Sequence, residues 1–367
     1  MINWVIFMKK AKELLITFIF IFIAIMCIIA SDNIGASVYS ALQRCLTTVI
    51  PSLFAMIAAS TLLIRSGAIT RAGKTVHKAG RILFGMDGDI FLIFLFSNIA
   101  GYPVGLRMLM SSFETGRLTK RESELLAGVC IGSGPAFIYG CIAQQLYQSA
   151  NIGLLILLST SAGSIITASI LSVYLRKNSH GSPEHIKMSM RADILSECIS
   201  SAGLSMAEIC ASILGFAALS AILIRIGLIP AAADILSWIT KKDFSVSAGL
   251  ICSFLDVTAI NSLPFGDYTL LPIITALVSF GGGCIFTQLA AISRGRISLL
   301  PAIVIRMAAA AISYGICRLM LPLFIAGKTV SAAVTTHIYS APSPVPSLIL
   351  MAMTAMVFIK CEKGRKA

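Results

Sequence analysis

Asp256 stands in an otherwise apolar stretch, Phe244–Gly266. A carboxylate in such a setting is costly unless it is paired, hydrated or capping a helix end, so it is a candidate for holding a cation or a solute hydroxyl. Thr258 and Asn261 follow it with directional donors and acceptors. A structural role is open as well, because Asp256 with Thr258 could cap the next helical arm. Arg306 lies midway along a second apolar stretch, Leu299–Ile325, and is a candidate partner for Asp256. Gln288, about one helical turn past Ser279-Phe280-Gly281-Gly282-Gly283, could face the same place.

Two further clusters could do chemistry through their backbone. One is Asn98-Ile99-Ala100-Gly101-Tyr102-Pro103-Val104-Gly105; the other is Gly132-Ser133-Gly134-Pro135. Glycine permits unusual backbone angles and proline removes a donor, so a helix breaks there and leaves N–H and C=O groups without partners. Freed helix starts favour anions and hydroxyls, and freed carbonyls favour cations or donors. The candidate binding residues are therefore Asn98, Gly101, Tyr102, Pro103, Gly105, Ser133, Gly134, Pro135, Asp256, Thr258, Asn261, Ser279, Gly281, Gly282 and Gln288. Lone glycines such as Gly140 and Gly163 read as close helix packing.

Other chemistries find no footing. HExxH, GxSxG and a close carboxylate pair at depth do not occur, so no catalytic residues and no enzyme are expected. No Walker A motif is present either. The ten cysteines form no CxxC or zinc-type spacing, and His77, His180, His185 and His337 are far apart in sequence. The cysteines read as small apolar fillers, and neither a metal site nor a cofactor is expected.

These residues must be positioned in a membrane. Of 367 residues, 57% are hydrophobic and only 12% charged, and mean hydropathy is +0.90. That is about half the charge of a soluble domain, too little to coat a water-facing surface. The net charge of +13, from 29 Lys+Arg against 16 Asp+Glu, sits in short clusters between apolar runs. Such clusters suit cytoplasmic loops better than a nucleic-acid surface, so no nucleic-acid partner is expected.

About 20 apolar residues are needed for a helix to cross the hydrocarbon core. Spans are expected at Leu14–Ala30, Val38–Ile64, Leu125–Tyr147, Gly153–Leu175, Met206–Leu228, Thr269–Ile292, Leu299–Ile325 and, least secure, Pro346–Ile359. The first has the flanks of a signal peptide, but its apolar core is long for one and it reads as a retained span. Loop charge orients them. Lys9, Lys10 and Lys12 put the N-terminus inside, Ser31–Ala36 is an uncharged outer loop as far as Lys and Arg go, and Arg65 to Arg81 returns inside. Because Arg117, Lys120 and Arg121 also read as inside, Ile82–Ser112 does not cross and becomes a re-entrant hairpin entered from the cytoplasm. The same logic makes Phe244–Gly266 a hairpin entered from outside, with Lys241 and Lys242 as the main exceptions to the rule. The C-terminus, with Lys360, Lys363, Arg365 and Lys366, falls inside.

The predicted fold is all-α: a polytopic membrane protein of about eight transmembrane helices plus two re-entrant hairpins in an inverted repeat. Residues 1–37 form an N-terminal transmembrane helix, 38–176 the first repeat, 177–205 a cytoplasmic linker, 206–326 the second, inverted repeat, and 327–367 a C-terminal loop and helix. Secondary transporters are often built this way, with solute bound at the midplane where broken helices meet. The lipid bilayer and a small polar solute, with a coupling cation, are the expected partners.

At Pro51-Ser52-Leu53-Phe54, Gly101-Tyr102-Pro103-Val104-Gly105, Ser133-Gly134-Pro135-Ala136-Phe137-Ile138 and Ser279-Phe280-Gly281-Gly282 with Gln288, the chain resembles the sporulation integral membrane proteins of the YlbJ type, which carry the nucleoside-recognition or Gate domain. The resemblance runs from about Pro51 to Ile325. It implies a role in endospore formation and a Gate-type fold akin to concentrative nucleoside transporters; a homo-oligomer or other sporulation membrane proteins are open as partners. The chain departs from that pattern in Cys130 and Ile131, in Asp256 where Glu is usual, and in Phe286 where His is common. A membrane scaffold for spore-envelope (cortex) assembly that keeps the fold without transporting is the alternative function.

Overall fold

The structure, a computed structural model, describes residues 2–66, 72–73, 75–84, 88–175 and 192–325. The expected span Pro346–Ile359, the basic residues Arg71, Lys74, Arg176, Lys177, Lys187, Arg191 and Lys328, and Asp87 lie outside them. Every regular element among the described residues is helical.

The chain opens with α1 (Ile2–Ile29) and α2 (Ser31–Arg44), bent by 93° about Ala30. The outer loop expected at Ser31–Ala36 is instead the first turn and a half of α2. The N-cap is Ala30, with no side-chain cap, and Asp32 in the first turn sets a negative charge at the positive helix start. A π-helical turn, Cys45–Val49, joins α2 to α3 (Ile50–Arg65). Pro51 supplies the cause: it has no N–H to give to the preceding turn. The helix relaxes to a wider ladder, in which Ile50 N–H donates to Cys45 O.

A short helix α4 (His77–Phe84) leads to the first hairpin, α5 (Gly88–Ala100) and α6 (Tyr102–Glu114), which pack against each other. Gly101 makes the turn at φ +98°, a conformation that L side chains resist, and Pro103 occupies the first turn of α6 where no donor is needed. The arms are close enough that a methyl at Gly105 would overlap the Cys130 carbonyl oxygen and Ser97 Cβ. Then comes α7 (Lys120–Val129), whose start carries a full capping box between Thr119 and Glu122. The expected break follows: Cys130–Gly134 is not helical, Pro135–Phe137 restarts, and Ile138–Ala143 is a second π turn. The unit closes with α8 (Ala150–Leu175).

The second unit, Ala192–Ile325, runs from a long helix through a hairpin and a broken span to a closing helix. Its long first helix, α9 (Ala192–Arg225), begins well before the expected Met206. An unanticipated helix, α10 (Leu228–Thr240), fills what reads in sequence as an outer loop. It buries Ile229 and Ala233 and leaves Leu228, Ile235, Trp238 and Ile239 exposed, so apolar side chains stand on both its inner and outer sides, and at 13 residues it is too short to cross. The second hairpin is lopsided. Its first arm is α11 (Phe244–Leu255), but its second is only a 3-10 turn, Val257–Ser262. Pro264 and Gly266 allow no longer helix before Asp267 caps the next element. There follow α12 (Leu271–Phe280) and α13 (Gly282–Ser293), one span broken at Gly281, φ +98°, and then α14 (Leu300–Ile325).

Four stretches among the described residues are long and apolar enough to cross a membrane: Ala150–Val173, Ile194–Arg225, Tyr268–Ser293 and Leu300–Ile325. The bent pair Phe20–Ile29 and Ser31–Val49 makes a fifth if it is one span. Val38–Ile64 and Leu125–Tyr147, expected as single spans, are interrupted by the π turn and by the break at Cys130–Gly134. The long helices turn bare aliphatic faces outward, Val173, Leu319 and Leu323 each about three-quarters exposed. Surfaces of that kind belong in a lipid bilayer.

The two units interlock. α8 packs along α14, and α9 along α2 and α3. Gly163, expected as a packing glycine, sits at the α8–α14 crossing, where a methyl would strike Ser313 Oγ and come within 2.9 Å of Ala309 O. In each unit the hairpin tip meets the break of the next span through a glycine. A methyl at Gly134 would lie 2.9 Å from Ile99 O and 3.1 Å from Gly101 N, and one at Gly282 3.0 Å from Phe254 O and 3.3 Å from Val257 N.

Candidate functional site: a small cavity between hairpin tips and helix breaks

Both hairpin tips, the first break and α13, the helix that follows the second break, border one cavity of about 30 Å³. Seven expected residues line it: Gly101, Tyr102 and Pro103 from the first tip, Gly134 from the first break, Asp256 and Thr258 from the second tip, and Gln288 from α13. The remaining wall is apolar, with Val49 and Leu53 beside the first π turn, Phe137, Ile209 and Ile213 from α9, Val257 and Ile285. That volume admits about two or three waters. These apolar wall residues escape sequence reasoning because their signal is ordinary helix periodicity: Ile209 and Ile213 are one turn apart, as are Cys284 and Gln288.

Asp256 is 3% exposed and caps the 3-10 turn: Oδ1 accepts from Thr258 N–H at 3.0 Å and Oδ2 from Thr258 Oγ1 at 2.7 Å. The capping arrangement is present, and the Asp256–Arg306 pair is not. Arg306, 1% exposed, donates to Ser164 Oγ and Ser279 Oγ, both at 3.2 Å, and Ser313 Oγ bonds Ser279 Oγ at 3.1 Å. The reason is topological: Arg306 projects between α8 and α12, behind the break, whereas Asp256 faces α9 and the cavity. Tyr102 stands between the two regions. Its hydroxyl donates to Val278 O at 2.6 Å, so the first hairpin tip holds the last turn of α12 in the other unit.

Replacing Tyr102 by phenylalanine leaves that buried carbonyl without its donor. The expected loss of stability is about 1–3 kcal/mol, read from thermal unfolding of the purified protein. An unchanged midpoint would mean that Val278 O has another donor at hand.

The other expected residues support the cavity from outside it. Asn98 Nδ2 donates to Phe94 O at 2.9 Å and its side chain lies against Gly132. Gly105 is wedged on Cys130, Ser133 is buried in the break, and Pro135 restarts the helix. Ser279 belongs to the Arg306 cluster, and Gly281 with Gly282 makes the second break against Tyr102 and the second tip. Asn261 has turned away: its Nδ2 donates to Gln145 Oε1 at 2.8 Å, and Gln145 Nε2 reaches Thr48 Oγ1 at 3.2 Å.

Polar links join the two units at both ends. At one end Arg107 pairs with Glu208 at 2.9 Å, Arg296 with Glu114, and Ser298 N–H donates to Glu124 at 2.9 Å. At the other, beside the Gln145–Asn261 bond, Gly266 N–H donates to Leu146 O and Tyr147 OH to Asp267 O, each at 3.0 Å. Each of these links joins the first unit to the second. Seven described cysteines, Cys45, Cys130, Cys141, Cys198, Cys210, Cys284 and Cys317, are buried as free thiols.

Long apolar helices with lipid-facing sides and broken spans define a multi-pass α-helical integral membrane protein. Comparison with known proteins agrees: over 170 residues the chain is 25% identical to the sporulation integral membrane protein YlbJ of Bacillus subtilis (strain 168). That match covers 46% of this chain and 42% of the relative, so the chain spans less than half the length of the curated relative it matches. The resemblance to YlbJ-type proteins read from the Gly/Pro motifs is thereby supported. No family profile matches the chain, and no solved structure does.

Proposed function

We propose that the chain is a secondary transporter or permease for a small polar solute, serving endospore formation from the cell membrane. The observation that carries this reading is the cavity where two hairpin tips, the first break and α13 meet. Backbone is left unpaired at membrane depth only where protein or a wet cavity takes it up. The order of parts in 38–176 and 206–326 favours an inverted repeat, with both termini cytoplasmic on the charge rule. Alternating access then rocks one unit against the other, breaking the Arg107–Glu208 and Arg296–Glu114 pairs to open one end and the Gln145–Asn261 link to open the other. Nucleoside-like solutes and a coupling cation at Asp256 belong to this reading. It needs no catalysis by the chain.

A second reading has its own observation. The cavity is small and mostly apolar, as expected of a scaffold for spore-envelope assembly that has kept the fold and lost its solute. Sided thiol labelling separates the two. With single cysteines at Tyr102 and Thr258 in a cysteine-depleted background, a transporter is expected to expose one tip to both faces of oriented membranes. Protection of both tips from both faces would remove the transport reading in favour of the scaffold.

A further inference from the structure

Helix α10 takes no part in the cavity, yet it carries an apolar surface that nothing in the protein covers. At about 100° per residue its side chains fall on three faces. One, with Ile229, Ala233 and the half-buried Leu236, packs inward on α9 and α11. The second, with Leu228, Ile235, Trp238 and Ile239, is bare, at 57%, 63%, 82% and 63% exposure. The third, with Asp234, Ser237 and Lys241 just past the helix end, is polar. Water does not suit the second face, and a bed of acyl chains does not suit the third.

The level of the helix is fixed at both ends. It begins just after the span Ile194–Arg225 ends. Beyond its other end, Lys242 donates to Thr269 Oγ1 and lies 3.9 Å from the Asp267 carboxylate, where the span Tyr268–Ser293 starts. Its 13 residues reach about 20 Å, short of the ~30 Å hydrocarbon core, so both ends lie at one membrane face and the helix runs along it. Ile224 and Ile226, at the end of α9 and just before Leu228 in the chain, are exposed as well. They carry the lipid-facing side of that span onto the bare face of α10.

We propose that α10 is an interfacial helix that binds the surface of one leaflet. Its Leu228, Ile235, Trp238 and Ile239 face lies among the lipid chains just below the headgroups, and its Asp234, Ser237 and Lys241 face lies among headgroups and water. Tryptophan favours that level, and a lysine beside it reaches the headgroups. Lipid is the occupant, and not a second copy of the chain, because the bare face continues a side of α9 that already crosses the bilayer. Neither role proposed above, transporter or scaffold, alters that placement.

The chain has two tryptophans, Trp4 and Trp238, so Trp4→Phe leaves Trp238 as a single reporter. The test is fluorescence of the full chain with that substitution, in phosphatidylcholine vesicles brominated at shallow or at deep acyl positions. Shallow bromines are expected to cut Trp238 emission at least about twofold and deep ones less, as for a ring near the headgroups. Stronger quenching by deep bromines would put the face in the membrane core. Quenching by aqueous iodide and by no brominated lipid would put it in water, and protection from both would mean that a second copy covers it. Each of these three results overturns the proposal. If Trp4→Phe does not fold, spin labels at Ile235→Cys and Ser237→Cys in the cysteine-depleted background decide. The first is expected to collide with oxygen dissolved in lipid and the second with a water-soluble nickel chelate; equal access of the chelate to both overturns the proposal.

Discussion

Replacing Gly105 by alanine is expected to abolish the folded protein. The added methyl would overlap the carbonyl oxygen of Cys130 and Cβ of Ser97, and lie 3.0 Å from the Cys130 carbonyl carbon. Backbone atoms cannot swing aside as a long side chain can. Either α6 moves off α5 or the non-helical stretch Cys130–Gly134 shifts, and both displace Gly134 from Gly101. Overpacking of this sort costs about 1–3 kcal/mol where a core can relax, and more where only backbone can yield. A monodisperse peak lost in size-exclusion chromatography of the solubilised protein is the readout. Gly215→Ala is the internal comparison: nothing lies within 4 Å of its added methyl, inside α9. Relieved of glycine's backbone entropy, that variant is expected to gain about 0.5–1 kcal/mol. Equal behaviour of the two variants would show that the hairpin is not packed as described.

Replacing Arg306 by methionine is expected to hold or raise stability, whereas replacing it by alanine lowers it. The guanidinium is 1% exposed, faces two serine hydroxyls at 3.2 Å, leaves Nε without a partner, and has no carboxylate against it among the described residues. The negative end of α12 at Ser279 and Phe280 offsets part of the charge. Removing a buried ion from water nonetheless costs several kcal/mol, and apolar replacements of similar volume in other proteins stabilise by about 1–4 kcal/mol. Methionine fills the space and adapts its shape. Alanine empties it, at a cost of about 2–5 kcal/mol. Thermal unfolding of the three proteins in one detergent gives the ranking. If methionine proves as harmful as alanine, the charge itself contributes to holding the α12 break and the serine cluster in place.

The helical, membrane-embedded character of the chain was open to reading in the amino acids, and so were the break points. Both are local properties. The 57% hydrophobic composition and the runs of apolar residues point to a membrane setting, and Gly101 and Gly281 end one helix where Pro103 and Pro135 can only start the next. The capping of the second tip by Asp256 and Thr258 is likewise a two-residue matter. By contrast, α10 was hidden because its 13 mostly apolar residues are too few to read as a span. The bend at Ala30 was hidden because Ser31-Asp32-Asn33 starts a helix as readily as it makes a turn.

What the sequence by itself determined is therefore the solvent this protein folds in and the points at which its helices must break. Only the tertiary structure decided what those breaks face. Arg306 and Asp256 lie in different apolar runs, and nothing in their spacing tells that one turns to the Ser164–Ser279 cluster and the other to the cavity. Nor does it tell that Tyr102 reaches Val278, or that Asn261 is drawn off to Gln145. A side chain's partner depends on which faces of distant helices meet and at what depth, and that follows from the packing of many apolar surfaces at once, with glycines such as Gly105, Gly134 and Gly282 setting how closely the backbones approach.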